Sequence, residues 1–302
     1  MRIRMLFSLV LLSSAALLFG QGSSENKTVS NLPIVAVSIL PQAYFIDQLA
    51  KDSVQTVVLV TEGQDPHSYE PTPSQMAALS KAKLWILSGT DFEHSLVDKV
   101  AALYPNLTIV DGTRNMELRS LEEHDHQSGE SDSGAQGLNI DRHTWLGWSQ
   151  SKILLENTKQ ALIDVLSLPS ALLNQRSEAF SKQIDQTFSA LQQQLQPMAG
   201  STIFVYHPSF GYFLDSFSLK QEAVETGGKE PTARDLTRLI EQAKVDGVKT
   251  IFVQKQFPVS SAQTVAKAVG ATVVALDPLA YDWLANIQQM GEALLGSGGV
   301  HE

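Results

Sequence analysis

Cysteine is missing from all 302 residues. Disulfides are therefore excluded, as is thiolate ligation of a metal. Lipid attachment through a cysteine behind an export signal is excluded too; Gln21 stands about where such a residue would be. Positive charge is also scarce, with 22 Lys and Arg against 32 Asp and Glu and a formal balance of −10. So acidic a chain is poorly suited to nucleic acid or anionic membranes, whose phosphates call for basic patches. There is no His-Glu-x-x-His pair and no serine or cysteine nucleophile motif. Glycine-rich pieces such as Gly227-Gly228 and Gly296 to Gly299 lack a phosphate-loop pattern. No apolar run reaches the length of a membrane span, because the longest, Leu6 to Phe19, is interrupted by Ser13 and Ser14.

That run fits an export signal better. Arg2 and Arg4 supply a positive start, and Gly20 and Gly22 are small enough for a peptidase site, so residues 1–22 are expected to be a signal peptide. Retention as an anchor is the alternative. Removing the segment takes away two arginines and no acids, leaving 20 basic and 32 acidic residues, a balance of −12. Residues 23–32 are polar and without periodicity, as a flexible leader would be.

What remains is long enough for two domains, and 43% hydrophobic with 18% charged residues supports real cores. From Pro33, strand-like and helix-like stretches alternate. Ile34 to Ile39, Val54 to Val60, Leu84 to Leu87 and Leu107 to Val110 read as strands; Gln42 to Ala50, Pro73 to Lys81 and His94 to Leu103 read as helices. This rhythm calls for a mostly parallel sheet covered on both faces. It breaks at 118–140, a Ser-, Gly- and acid-rich loop containing Glu122-Glu123-His124-Asp125-His126. Helical periodicity resumes from Ser149 to Leu166. A second helix, Ser170 to Leu195, has Phe180, Ile184, Phe188, Leu191 and Leu195 at steps of three and four, and is long enough to run from one domain to another. A second α/β unit follows, with strands at Thr202 to Tyr206, Leu219 to Val224, Thr250 to Val253 and Thr272 to Leu276. Its helices are Pro231 to Ala243, Ala262 to Val269 and Tyr281 to Leu295. The expected fold class is α/β: two parallel-sheet lobes, 33–168 and 198–302, joined by a long helix at 169–197.

Four polar residues stand at strand ends or helix starts. His67 lies in Asp65-Pro66-His67-Ser68-Tyr69-Glu70-Pro71, where two prolines limit its loop, and Thr72 with Gln75 forms a capping box behind it. His143 precedes a helix. His207 directly follows a strand and precedes Pro208, and Asp277 does the same before Pro278. Ligands of α/β proteins bind beyond the carboxyl ends of strands, so such side chains would point into an interlobe cleft. Three imidazoles and one carboxylate suit a four-coordinate Zn²⁺. Their separations of 76, 64 and 70 residues carry no local spacing signal, and satisfied structural histidines stay open as the alternative on these grounds.

The chain resembles the solute-binding proteins of ABC importers for zinc and manganese. The similarity runs in order through Ser38-Ile39-Leu40-Pro41 with Tyr44-Phe45, Asp65 to Pro73, Ser88 to Glu93, Asp141 to Trp145, His207 to Tyr212, Gly228 to Ala233 and Leu276 to Leu279, from about Pro33 to Leu295. One departure is that Gly147 and Trp148 stand where many relatives have Asp-Pro. The resemblance implies two lobes joined by a rigid helix, with the metal in the interlobe cleft on His67, His143, His207 and Asp277. It also implies a periplasmic, non-catalytic protein, most simply a monomer, that hands its ion to a membrane permease and its ATPase. Histidine at position 207, where manganese-type relatives tend to carry glutamate, favours zinc, since carboxylate suits Mn²⁺ better. Mn²⁺ or Fe²⁺ on the same scaffold is the first alternative; a secreted zinc hydrolase with a bound water is the second. An adhesin-like surface role, a label given to proteins of this type, has no residue here arguing for it. Asp65, Glu70 and Asp141 are candidates to orient imidazoles by accepting the second ring N–H, with a simple loop cap as the leading alternative for each. The loop pair His124 and His126 is expected either to capture the ion loosely or to be merely solvated.

Overall fold

The computed structural model describes residues 32–121, 140–225, 232–256 and 260–297. The expected signal, most of the leader, the loop histidines His124 and His126 and the Gly228 motif's first residues lie outside them. Two four-stranded parallel sheets carry the architecture. In the first, β1 (Ile34–Ile39), β2 (Gln55–Val60), β3 (Leu84–Leu87) and β4 (Thr108–Asp111) lie in the order β2-β1-β3-β4. In the second, β5 (Thr202–Val205), β6 (Lys220–Ala223), β7 (Thr250–Gln254) and β8 (Thr272–Leu276) repeat it as β6-β5-β7-β8. Each order reverses between its first and third strands, which leaves a crevice at their carboxyl ends.

Helices α1 (Leu40–Ala50), α2 (Pro73–Leu79) and α3 (Asp91–Leu103) connect the first sheet. The capping box of α2 forms as expected: the Thr72 N–H donates to Gln75 Oε1 at 2.9 Å, and the Gln75 N–H donates to Thr72 Oγ1 at 3.4 Å. Helix α3 starts three residues before the expected His94. Asp91 and Glu93 fill its first turn, where negative charge meets the positive end of the helix dipole. Two long helices follow, α4 (Trp148–Leu166) and α5 (Ser170–Leu195). With 26 residues, α5 extends ~39 Å at 1.5 Å per residue. A five-residue helix, α6 (Gly211–Asp215), was not expected; it is too short for periodicity to reveal. Helices α7 (Ala233–Val245), α8 (Ser260–Val269) and α9 (Trp283–Ser297) complete the second lobe. Thr232 and Asp235 form the capping box of α7.

The two lobes share one core. Phe45 of α1, Phe180 of α5 and Trp283 of α9 meet edge to face, with centroids 5.0 to 6.2 Å apart. Trp283 also donates its indole N–H to the Trp145 carbonyl at 2.8 Å. Helix α9 comes close to α5 at Gly291, where an added Cβ would stand 2.3 Å from the Leu191 side chain. Period-two alternation then divides the second sheet. Ile203, Val205 and Phe252 join the main core, whereas Phe204, Tyr206, Ile251 and Val253 form a separate cluster under α7 and α8.

Candidate metal centre

His67 sits on the loop after β2. Asp65 caps that loop: its Oδ1 accepts the His67 backbone N–H at 3.0 Å and its Oδ2 accepts the Ser68 hydroxyl at 2.9 Å. The imidazole Nδ1 lies 2.7 Å from Asp91 Oδ2, at the start of α3. His143 precedes a short 3₁₀ turn, Thr144–Leu146. Asp141, wholly buried, accepts both the backbone N–H of His143 at 3.0 Å and its Nδ1 at 2.9 Å on one oxygen. From the second lobe, Tyr212 donates its hydroxyl to the Asp141 carbonyl at 3.0 Å. His207 follows β5. Gln254, the last residue of β7, holds its backbone from both sides, accepting its N–H at 3.3 Å and donating to its carbonyl at 2.7 Å. The His207 Nδ1 lies 2.9 Å from Glu225 Oε2, just beyond β6.

The same device thus occurs three times: Nδ1 faces a carboxylate and Nε2 is left for a ligand. Proton positions follow from this pairing, since a carboxylate accepts and so requires Nδ1–H. The ligating nitrogens of His67, His143 and His207 lie within 4.8 Å of one another, and the Nε2 atoms of His67 and His207 are 3.0 Å apart. A tetrahedral zinc with bonds of 2.0–2.1 Å needs nitrogens about 3.3 Å apart, so three imidazoles at this spacing fit such an ion. The cavity that they line, with Trp145, Gln254 and Leu279, measures about 20 Å³. That is room for one ion or water, not for an organic ligand. A groove of about 660 Å³ beside Arg119, Trp148, Lys152 and Asp185 is far larger, but no histidine lines it. Donor chemistry, not volume, marks the three-histidine cavity as the candidate.

Charge is tuned to the pairing. Burial pulls the His67 imidazole down, but the bond to Asp91 and the charges of Asp65, Asp91 and Glu225 outweigh it and leave its pKa raised. Burial dominates at His143, whose pKa is lowered despite Asp141. The His67 bond, helped by Arg142 and opposed by partial burial, holds Asp91 down at about 2.

Asp277, expected as a fourth ligand, is not in the three-histidine group. Its Oδ1 accepts from Gln256 Nε2 at 3.1 Å and from the Leu279 N–H at 3.0 Å, and Lys255 Nζ stands 3.5 Å from Oδ2. Among the residues expected to orient imidazoles, Asp141 contacts a ring. Asp65 instead caps a loop, and Glu70 is exposed. Asp91 and Glu225 do the work at His67 and His207, and reading the sequence missed both. A signal was present, since each lies within four residues of a strand's carboxyl end, but nothing local tied either to its histidine.

A family model described as the periplasmic zinc-uptake complex component A matches residues 35–295. Among solved structures, a crystal structure of ZnuA is 30% identical, with a TM-score of 0.81 over 89% of this chain and all of that one. A ZnuA deletion mutant with zinc bound is 29% identical, with the same TM-score of 0.81 over 90% of this chain and 100% of its own. The zinc-binding lipoprotein AdcA of Streptococcus pneumoniae is 23% identical over 274 residues, covering 89% of this chain and 54% of AdcA. This chain therefore spans about half of that relative.

Proposed function

This chain belongs to the zinc-uptake component A family, and from that premise we propose that His67, His143 and His207 are the ligands by which it captures its ion. It is an extracytoplasmic binding protein for a divalent transition metal, zinc foremost, that serves ABC-type import. Proteins of this family are solute-binding proteins that work with a permease and an ATPase; here the ion is cargo, not a catalytic cofactor. Among the described residues no helix is long and apolar enough to cross a membrane. We take the mature protein to be periplasmic, monomeric and without enzymatic activity.

The observation that carries the ligand assignment is the threefold pairing of imidazole with carboxylate around a space of one ion. Each carboxylate fixes a tautomer, orients a ring and raises the basicity of Nε2. A ring nitrogen must be unprotonated to bind an ion, so uptake weakens as pH falls. Three nitrogen donors favour Zn²⁺ over Mn²⁺. Asp277 is proposed to close the fourth position by exchanging Lys255 and Gln256 for the metal. Its support is its place on the loop whose Pro278 and Leu279 line the cavity.

Titration of metal-stripped protein with zinc, for the wild type and for His67→Ala, His143→Ala, His207→Ala and Asp277→Asn, tests the set. Each histidine variant should lose high-affinity binding, and Asp277→Asn should lose less. Wild-type affinity in any one of the histidine variants removes that residue from the site.

A further inference from the structure

We infer that Arg142 is a positioning residue of the metal site, acting on His67 through Asp91; this rests on the reading of the three histidines as ligands. The three orienting carboxylates are not equally held. The side chains of Asp141 and Glu225 are 0% and 4% exposed, so packing and desolvation keep them in place. Asp91 is 46% exposed, and its bond to His67 competes with water. What holds Asp91 is a guanidinium. Arg142 Nε lies 2.8 Å from Asp91 Oδ1, while Oδ2 of the same carboxylate faces His67 Nδ1 at 2.7 Å. Arg142 Nη1 also donates to the Gly89 carbonyl at 3.4 Å, so the side chain grips the turn before α3 at two points.

The consequence lies in chain order. Arg142 immediately precedes His143. One dipeptide therefore supplies a ligand directly and steadies, through Asp91, the ring of another ligand 76 residues earlier. A guanidinium suits this task, because one planar group meets the carboxylate through Nε and the Gly89 carbonyl through Nη1. A partly exposed pair of this kind adds little to fold stability, so its effect should appear in the site and not in the melting curve.

The test measures zinc affinity on the metal-stripped full chain, by competition with a chelating dye, for wild type, Arg142→Gln, Arg142→Lys, Asp91→Asn, the Arg142→Gln/Asp91→Asn double variant and His67→Ala. We expect Arg142→Gln to weaken zinc binding about tenfold with the metal-free melting temperature unchanged. Arg142→Lys should recover only part of that loss, since an ammonium restores the charge beside Asp91 but not the second contact to Gly89. The double variant should bind no more weakly than Asp91→Asn alone, because both changes remove one path. Wild-type affinity in Arg142→Gln would overturn the inference. So would independent, multiplying losses in the double variant, or a loss matched by a lower metal-free melting temperature and not rescued by lysine. If His67→Ala itself binds zinc normally, the ligand assignment fails and takes this inference with it. If His67→Ala loses binding while Arg142→Gln does not, only the role of Arg142 falls.

Discussion

The two lobes repeat one sheet order yet present their histidines differently. In the first, His67 leaves the edge strand β2 on a loop stiffened by Pro66 and capped by Asp65, and its carboxylate partner comes from the third strand's end. In the second, His207 leaves the central strand β5, clamped by Gln254 of the neighbouring strand, and its partner comes from the edge strand β6. Exposure follows placement. The His67 and Asp91 side chains are 32% and 46% exposed, those of His207 and Glu225 9% and 4%. A site between lobes needs an accessible side for the ion to enter and a rigid side for it to settle against. A loop-borne ligand serves the first need and a strand-borne one the second.

The strongest challenge to that contrast is to cut what joins the lobes. Trp283→Ala removes the ring shared by α1, α5 and the Trp145 loop, and should cost about 3–5 kcal/mol in chemical denaturation. A comparable loss from Leu239→Ala, in the separate cluster under α7 and α8, should leave zinc affinity nearly intact, whereas Trp283→Ala should lower both. Parallel loss of zinc affinity in the two variants would show that the outer cluster is not separate.

Next in size is removal of a ligand. Either His67→Ala or His207→Ala should weaken zinc by roughly 10²–10³-fold by calorimetric titration, about a quarter of the ~10–16 kcal/mol typical of a structural zinc. Acid should act in the same direction. Zinc needs neutral imidazoles, so affinity falls as pH drops, beginning above the ordinary histidine value of about 6.5 because His67, with its raised pKa, protonates ahead of the buried His143. In the metal-free protein the sign reverses. The raised pKa of His67 stabilises the fold below about 6.5 and ceases to do so as pH climbs through its folded value. A metal-free fold that gains stability with rising pH across that window would contradict the shift given for His67.

The orienting carboxylates sharpen the lobe contrast directly. Glu225→Gln should cost more zinc affinity than Asp91→Asn within a range of about 10–100-fold, because water can partly replace the exposed Asp91 but not the buried Glu225. Equal losses would mean that exposure does not matter here. Smallest of all, Thr72→Ala and Thr232→Ala should each cost about 1 kcal/mol of stability by removing a helix cap. Only the first, five residues past His67, should also loosen zinc. A drop in affinity from Thr232→Ala would break the assignment of the ligand loop to α2.

Much of this was legible in order along the chain. The apolar, largely β-branched runs marked all eight strands to within one residue at each end, and Thr72-Pro73-Gln75 announced the start of α2 correctly. Helix α6 escaped because five residues cannot display a 3.6-residue period. At the site, His67, His143 and His207 stood out as polar groups at element ends, and Asp141 was near enough to His143 to be paired with it. Asp91 and Glu225 were not legible, since they stand 24 and 18 positions along the chain from their histidines.

Strand and helix periods, the caps and the absence of cysteine are local properties, written residue by residue, and they settled the α/β class and the nitrogen-and-oxygen donor set. Which carboxylate meets which imidazole, and that Asp277 turns towards Lys255 and Gln256, were decided by the packing of two sheets across a common aromatic core. Distances between side chains far apart in sequence depend on every crossing between them, and no local pattern encodes that sum.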